Sequence, residues 1–259
     1  MTLPNFLGIG AQKAGSSWLE LQLRGHPDIY LPPWRKEVHF FDGNYNRGIQ
    51  WYEGFFSRAA NEVKYHAVGE ITPKYIYDPQ VPARIQVHIP DCKFIAILRN
   101  PVDRAYSQYG EVVLNRMETD SFAEALEKYP DFFERGLYSE QIRRYYKYFP
   151  PENFLILLLD RVKSQPESVL QQIADFLSLD FGKFDLSLIQ ERPNKFFLPR
   201  FRRARAFARS IMRFLYEKDL DWLVYVAKAP GLHNHIFGNL GSLPPMEPEI
   251  RAELIKRYE

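Results

Sequence analysis

The sequence is poor in cysteine and in long hydrophobic runs, since its 259 residues include a single cysteine, Cys92. One cysteine excludes an internal disulfide and any metal site built from several cysteines, and it is typical of a protein from a reducing compartment. The longest apolar runs, Phe154–Leu159 and Trp222–Ala227, have six residues each, whereas a membrane-spanning helix needs about 20. The first residues lack the basic stretch and apolar core of a secretory signal. We therefore expect a cytoplasmic protein without a transmembrane segment.

The sequence also has little excess of either charge, because 34 Lys and Arg residues face 32 Asp and Glu residues, a formal net charge of +2. This balance excludes a uniformly basic nucleic-acid coat protein, so we expect no nucleic-acid partner. The average conceals one basic segment, residues 195–218, which has eight basic residues and one acidic residue. That segment carries a charge of +7, which leaves −5 for the rest of the chain.

Apolar runs and helical spacing alternate along the chain and predict the fold class. Four continuous runs are typical of strands in a parallel sheet that is covered on both faces: Phe6–Ile9, Ala67–Glu70, Phe94–Leu98 and Phe154–Leu159. Helical spacing predicts five helices between and after them, namely Ser17–Gly25, Val81–Val87, Val102–Leu114, Ser139–Tyr148 and Ser168–Leu177, with a turn over Asp160–Pro166. We predict an α/β fold in which helices flank a central parallel sheet.

A length of 259 residues allows one large domain or two small ones. We predict that the whole chain, residues 1–259, forms one domain. A last helical pattern starts near Glu247 and runs to the end of the sequence without a helix stop signal. We therefore expect the natural chain to continue past Glu259.

The first predicted strand runs directly into Gly8-Ile-Gly-Ala-Gln-Lys-Ala-Gly-Ser-Ser-Trp-Leu and then into a helix. Glycine permits a tight turn and close backbone approach, and the N–H groups at a helix start attract anions. Ser16 and Ser17 add hydroxyl donors, and Lys13 adds a mobile positive charge. The pattern predicts a phosphate-binding loop, and the alternative is an ordinary strand-to-helix turn with capping serines.

The order of residues in this loop differs from that of nucleoside triphosphatases. Their loop reads Gly-x-x-x-x-Gly-Lys-Ser/Thr, with the lysine after the second glycine. Here Lys13 comes two residues before Gly15, and no secure metal-binding acid follows an apolar strand. A kinase-like phosphotransferase is therefore the weaker interpretation of the loop.

Three sequence blocks, which begin at residues 13, 36 and 97, together resemble those of sulfotransferases that use 3′-phosphoadenosine 5′-phosphosulfate. Lys13-Ala-Gly-Ser-Ser-Trp-Leu is similar to their 5′-phosphosulfate loop, and Ile97-Leu-Arg-Asn-Pro-Val-Asp-Arg-Ala-Tyr-Ser is similar to their 3′-phosphate block. Lys36-Glu-Val-His-Phe-Phe-Asp resembles the acceptor-side block of the heparan-sulfate-type branch, the N-deacetylase/N-sulfotransferases and 3-O-sulfotransferases. The resemblance covers roughly residues 5–180 and is to a soluble, bacterial-type member.

The resemblance implies a P-loop-like sulfotransferase fold and a role for each matching residue. Glu37 would be the catalytic base, Lys13 would stabilise the leaving phosphate, and His39 and Asp42 would support the base. The donor would be 3′-phosphoadenosine 5′-phosphosulfate and the product adenosine 3′,5′-bisphosphate, with no metal. The donor would be bound by Lys13, Ala14, Gly15, Ser16, Ser17, Trp18, Arg99 and Ser107, the last two at its 3′-phosphate.

Elementary chemistry agrees with these roles without deciding them. An arginine fork at the end of a strand can hold a phosphate with two hydrogen bonds, although Arg99 taken alone is better explained as a surface ion pair. Glu37 and His39 alternate, so both point to one side of an extended segment. Sulfuryl transfer needs a base for the acceptor proton and a cation for the leaving phosphate. Without the resemblance, Lys36-Glu37 reads as a solvated charge pair.

Two departures from the heparan-type pattern disfavour a heparan-like polysaccharide as acceptor. Ile71 stands where those enzymes often carry a lysine that contacts acidic sugar, and Lys74 compensates only in part. The late disulfide loop is also absent, because Cys92 is alone. We expect a small-molecule, carbohydrate or lipid acceptor.

The resemblance becomes loose after residue 190. Phe197 is expected to stack on the adenine of the donor, and Arg200 to reach its phosphates. For residues 200–215 the alternatives are a helix that packs on the core and one that contacts anionic lipid at a membrane surface. The competing interpretation of the whole chain is a non-catalytic module that binds anionic lipid or glycan through this segment.

Overall fold

The computed structural model describes residues 2–61, 65–116, 120–191, 210–212, 214–227, 243 and 245–259. The strands are β1 Phe6–Gly10, β2 Ile29–Tyr30, β3 Ala67–Ile71, β4 Lys93–Leu98 and β5 Phe154–Leu158. They form one sheet in the order β2-β3-β1-β4-β5, and every neighbouring pair is parallel. All four predicted strands are confirmed. β2 was not predicted, because two residues are too few to form a recognisable apolar run.

Helices connect the strands and cover the sheet. The α-helices are α1 Ser16–Arg24, α2 Phe40–Gly43, α3 Ile49–Glu53, α4 Ser57–Asn61, α5 Val81–His88, α6 Pro101–Arg116, α7 Phe122–Lys128, α8 Asp131–Glu134, α9 Tyr138–Tyr146, α10 Leu159–Ser164, α11 Pro166–Leu177, α12 Asp221–Ala227 and α13 Pro248–Tyr258. The five predicted helices correspond to α1, α5, α6, α9 and α11. The turn predicted over Asp160–Pro166 is wrong, because α10 occupies most of it and buries Val162.

The hydrophobic core lies on both faces of the sheet. Successive side chains of β1 alternate between the two sides, so that Leu7 and Ile9 pack in one cluster and Phe6 in the other. β4 behaves in the same way, with Phe94 on the first side and Ile95 on the second. This double burial explains why β1 and β4 have continuous apolar sequences, whereas β5, at the edge of the sheet, leaves Leu158 55% exposed.

The topology brings three loops to one edge of the sheet. β1, β3 and β4 are adjacent and parallel, with Gly8 paired to Ile71 on one side and to Ile95 on the other. Their carboxyl ends therefore lie side by side, and the chain leaves them into the loops that begin with Ala11, Thr72 and Arg99. In open α/β sheets this edge is where ligands bind.

The last helix, α13, packs against α6 and α8. Leu254 is buried in a third apolar cluster, and the Tyr258 hydroxyl donates a hydrogen bond to the Phe133 carbonyl (2.8 Å). Within the described ranges, no helix combines the length and the apolar character needed to cross a membrane.

Candidate active site

The loop between β1 and α1 has the backbone shape that its sequence predicts. Gly15 caps α1 with φ 106°, a left-handed conformation that favours glycine. A Cβ atom at Gly15 would lie 3.0 Å from Leu159 Cδ1, so a larger residue would also displace that side chain slightly. Ser16 and Ser17 are the first two residues of α1, where backbone N–H groups lack helical acceptors and can face an anion.

Two residues of the predicted donor loop are committed to contacts within the protein. Ala14 is fully buried, and its N–H donates to the Ala11 carbonyl (3.2 Å). The Trp18 indole Nε1–H donates to the Ile189 carbonyl (3.1 Å), and its backbone N–H donates to Gly15. These bonds anchor the loop against the start of α1 and against the segment around Ile189.

Three cations surround the loop. Arg99, the first residue after β4, donates from Nη1 to the Lys13 carbonyl (3.2 Å), which joins two of the sequence blocks. The Lys13 ammonium lies 3.3 Å from Glu111 Oε2 on α6. Lys36 Nζ is 2.5 Å from Ser17 Oγ and 3.3 Å from Glu20 Oε2. Lys36 was missed as a candidate, because sequence adjacency to Glu37 made it read as a solvated charge pair.

Of the remaining residues predicted to bind the donor nucleotide, the structure describes only one. Ser107 is half-buried on α6, two turns after the helix begins. Phe197 and Arg200 lie outside the described residues, as does most of the basic segment. In its described part, Ile211 and Phe214 expose about half of their side chains (44% and 55%).

Glu37, His39 and Asp42 form one hydrogen-bonded chain on the acceptor side. His39 Nε2 lies 3.1 Å from Glu37 Oε2, and its Nδ1 lies 3.0 Å from Asp42 Oδ2. Asp42 is almost completely buried and also meets the Lys74 ammonium at 3.3 Å. The alternation of residues 37 and 39 thus does place their side chains together, as predicted.

The two carboxylates beside His39 favour the protonated form of its imidazole. Burial disfavours the charged ring, but hydrogen bonds to Asp42 and Glu37 outweigh it and raise the pKa of His39 to about 9. Burial also works against ionised Asp42, yet its contacts with His39 and Lys74 hold the pKa of that carboxyl below its usual value. Both imidazole nitrogens therefore donate, one to each carboxylate.

The pKa of His39 makes a prediction about stability. The folded-state pKa of His39 is raised from 6.5 to about 9. Protonated His39 therefore stabilises the folded state fully below pH 6.5, and this contribution to the unfolding free energy is lost as the pH rises through about 9. His39→Gln removes the titrating group, so the difference in unfolding free energy between wild type and variant should shrink over this window. Urea unfolding of both proteins across the window measures it, and a constant difference would contradict the assignment.

Beneath this chain lies a fully buried carboxylate, Glu70, near the end of β3. It accepts hydrogen bonds from the hydroxyls of Thr72 (2.6 Å), Tyr75 (2.7 Å) and Tyr52 (3.3 Å). Burial raises the pKa of Glu70 to about 7, although the Thr72 and Tyr75 bonds oppose the shift. The sequence predicted Glu70 only as the end of a strand, because its hydrogen-bonding partners are not evident from spacing.

Arg35 ties a distant part of the chain to the acceptor-side block. It is buried and forms two bonds to Asp221, from Nε to Oδ1 (2.6 Å) and from Nη2 to Oδ2 (2.9 Å). Its Nη2 also donates to the Tyr216 carbonyl (2.8 Å). Residues 216–221 therefore lie beside the block that carries Glu37, a contact across more than 180 residues that no local pattern reveals.

Within the described part of the chain, no group of three or more His, Cys, Asp or Glu side chains is arranged to hold a metal ion. Cys92 is buried, and burial raises the pKa of its thiol well above the usual value.

Comparison with known proteins agrees with the resemblance. A family model described as "Sulfotransferase domain" matches residues 3–195. Mouse heparan sulfate glucosamine 3-O-sulfotransferase 6 is 32% identical over 184 residues, which cover 68% of this chain and 52% of the mouse protein. Human bifunctional heparan sulfate N-deacetylase/N-sulfotransferase 3 is 34% identical over 198 residues, covering 68% of this chain and 22% of that protein. The chain thus spans about half or less of the length of these relatives.

Solved structures share the fold. A sulfotransferase from Alicyclobacillus acidocaldarius superposes with a TM-score of 0.65 at 30% identity, covering 75% of this chain and 87% of that one. Mouse sulfotransferase SULT7A1, complexed with PAP, superposes with a TM-score of 0.50 at 20% identity, covering 74% and 68%. The predicted α/β fold with a central parallel sheet is confirmed.

Proposed function

Because the chain belongs to the sulfotransferase domain family, we propose that it moves a sulfuryl group from 3′-phosphoadenosine 5′-phosphosulfate to a hydroxyl or amine of an acceptor. One observation carries the proposal. Lys36, next to Glu37 in the chain, contacts Ser17 of the phosphate loop at 2.5 Å. The acceptor-side block and the donor loop therefore meet at one edge of the sheet, as a direct transfer between two bound molecules requires.

Glu37 is proposed as the base that takes the acceptor proton. The acceptor oxygen or nitrogen forms a bond to sulfur, the bond from sulfur to the bridging phosphate oxygen breaks, and Glu37 receives the proton. His39 uses one oxygen of Glu37 (3.1 Å) and leaves the other carboxylate oxygen for the acceptor. Asp42 fixes the opposite side of the imidazole, so the base is held in one orientation.

Lys13 is proposed to stabilise the phosphate that leaves. Its ammonium forms an ion pair with Glu111 (3.3 Å), and 27% of the side chain is exposed. A cation aimed at developing negative charge lowers the barrier. Lys36 is close enough to Ser17 to add a second positive charge at the same end of the donor.

Arg99 and Ser107 are proposed to bind the 3′-phosphate, which predicts selectivity between nucleotides. A hydrogen bond to a charged group contributes about 1.5–3 kcal/mol, or roughly tenfold to 100-fold in affinity. Ser107→Ala should therefore weaken adenosine 3′,5′-bisphosphate by about tenfold and leave 5′-AMP unchanged, as measured by calorimetry. Ser121→Ala, at the cap of α7, is the control. Equal weakening of both nucleotides by Ser107→Ala would remove Ser107 from the 3′-phosphate site.

The kinase-like alternative is tested by nucleotide preference. The order of Lys13 and Gly15 and the use of Glu70 within a buried hydroxyl network support the sulfotransferase proposal. Thermal-shift measurements should show stabilisation by adenosine 3′,5′-bisphosphate in the absence of magnesium. Stabilisation by ATP with magnesium, and none by the bisphosphate, would favour the kinase.

We propose an acceptor that is less acidic than the heparan sulfate named for the relatives. Ile71 packs in the core, with 2% of its surface exposed, at the position where heparan-type enzymes often carry lysine. Lys74 is paired with Asp42, which limits its capacity to compensate. A neutral carbohydrate, a small hydroxyl compound or a lipid headgroup suits this arrangement better than a polyanion.

A further inference from the structure

The segment that carries Glu37 and His39 is hydrogen-bonded to one buried network around Glu70. Three consecutive backbone N–H groups donate to hydroxyls of this network, and the first, His39 N–H, donates to Thr72 Oγ1 (3.4 Å). Phe40 and Phe41 N–H point to the Tyr75 hydroxyl (2.9 and 3.4 Å). The backbone of residues 39–41 is thus attached to Glu70 through the hydroxyl of Thr72 or Tyr75.

The direction of these hydrogen bonds depends on an acceptor that cannot donate. The hydroxyls of Thr72 and Tyr75 each have one proton, and each accepts from the backbone of residues 39–41. Each must therefore donate its own proton to Glu70. Above its pKa of about 7, Glu70 is a carboxylate that accepts only and satisfies all these donors together, whereas an amide would turn its own N–H groups toward some of them.

Packing alone does not account for a carboxylate at this position. Glu70 is 1% exposed, and among the described residues no Lys, Arg or His forms an ion pair with it. A buried carboxylate without a counter-ion is costly, and an apolar side chain of similar size would avoid that cost.

We propose that Glu70 is the positioning residue of this site, because its carboxylate orients the Thr72 and Tyr75 hydroxyls, which then fix the segment bearing Glu37 and His39. The inference rests on the proposed function, since it assigns the purpose of the network to catalysis. His39 adopts φ 55°, a left-handed conformation that is unfavourable for a residue with a side chain, so the segment needs such external support.

Two buried tyrosines provide a matched test. Both Tyr52 and Tyr75 are fully buried and donate to the same oxygen of Glu70, but only the Tyr75 hydroxyl also accepts from the backbone of Phe40 and Phe41. Tyr75→Phe cuts the link to the segment and changes no charge. Tyr52→Phe removes a similar hydrogen bond and leaves the link in place.

Tyr75→Phe should lower kcat by on the order of tenfold or more, since misplacing a catalytic group by about 1 Å costs up to about 100-fold. Tyr52→Phe should stay within about twofold, and both variants should bind adenosine 3′,5′-bisphosphate like wild type. Glu70→Gln should match or exceed the loss in Tyr75→Phe. If both tyrosine variants lose kcat only in proportion to their decrease in melting temperature, the network has a structural role alone. That result would overturn the proposal.

A second readout does not depend on turnover. The pKa of His39 is held near 9 by Asp42 and Glu37, and it should fall toward 6.5 in Tyr75→Phe but not in Tyr52→Phe, as followed by the imidazole signals in NMR spectra. An unchanged His39 pKa in Tyr75→Phe would overturn the positioning role even if sulfuryl transfer is confirmed. The expected fall without any transfer by the wild type would retain the network and reject the proposed function.

Discussion

Glu37→Gln is expected to lower the turnover of sulfuryl transfer by on the order of 100-fold or more, because general-base catalysis contributes about 10²–10⁴ in rate. The substitution keeps the shape of the side chain and its capacity to accept a hydrogen bond from His39 Nε2 (3.1 Å in the wild type). It removes the capacity to take a proton from the acceptor. Binding of adenosine 3′,5′-bisphosphate should stay unchanged, because the proposed donor site is the loop and does not include residue 37.

A control separates the lost base from the loss of a negative charge in general. Glu134 is an exposed glutamate that accepts a strong hydrogen bond from the Tyr77 hydroxyl (2.6 Å) outside the site. Glu134→Gln should retain wild-type turnover. Full activity in Glu37→Gln would reject Glu37 as the base, whereas equal losses in both variants would indicate a nonspecific effect of charge.

Lys13→Ala is expected to impair both binding and chemistry. The ammonium is proposed to contact the phosphate of the donor, so its removal should weaken binding of adenosine 3′,5′-bisphosphate by about tenfold, the usual effect of one charged hydrogen bond. Turnover should fall further, by on the order of 100-fold, because charge on the leaving phosphate grows in the transition state. Calorimetry and initial-rate kinetics separate the two effects.

The ion pair between Lys13 and Glu111 (3.3 Å) supplies the matched control for that experiment. Glu111→Gln breaks the same ion pair and leaves the lysine in place. Half of the Glu111 side chain is exposed (51%), so the pair itself contributes little to stability. Glu111→Gln should bind the bisphosphate at least as tightly as wild type. If it reproduces the losses of Lys13→Ala, the ion pair and not the lysine is what matters.

Most of the fold was predictable because β1, β3 and β4, at the centre of the sheet, are buried on both faces. Continuous apolar runs identified β1, β3, β4 and β5, and periodicity identified the main connecting helices. The failures occur where few residues decide the structure. β2 has two residues and is held by pairing with β3, and α10 follows directly on β5 where a turn was expected.

The candidate site was predictable where chemistry and neighbouring residues coincide. The loop around Lys13, the strand end at Arg99 and the alternation of Glu37 and His39 all carry local signals, and the structure brings them to one edge. Their catalytic roles remain predictions. The contacts of Arg35 with Asp221 and of Lys36 with Ser17 were not predictable, because each joins segments whose distance along the chain conceals their proximity.

Transfer of radiolabelled sulfate from 3′-phosphoadenosine 5′-phosphosulfate to a panel of carbohydrate, phenolic, lipid and peptide acceptors tests the central claim most directly. We predict a labelled product in at least one class, formed by the wild type at a rate on the order of 100-fold or more above Glu37→Gln. If the label stays on the donor with every acceptor class while the protein still binds adenosine 3′,5′-bisphosphate, the result would contradict sulfuryl transfer. It would favour a nucleotide-binding module without catalysis.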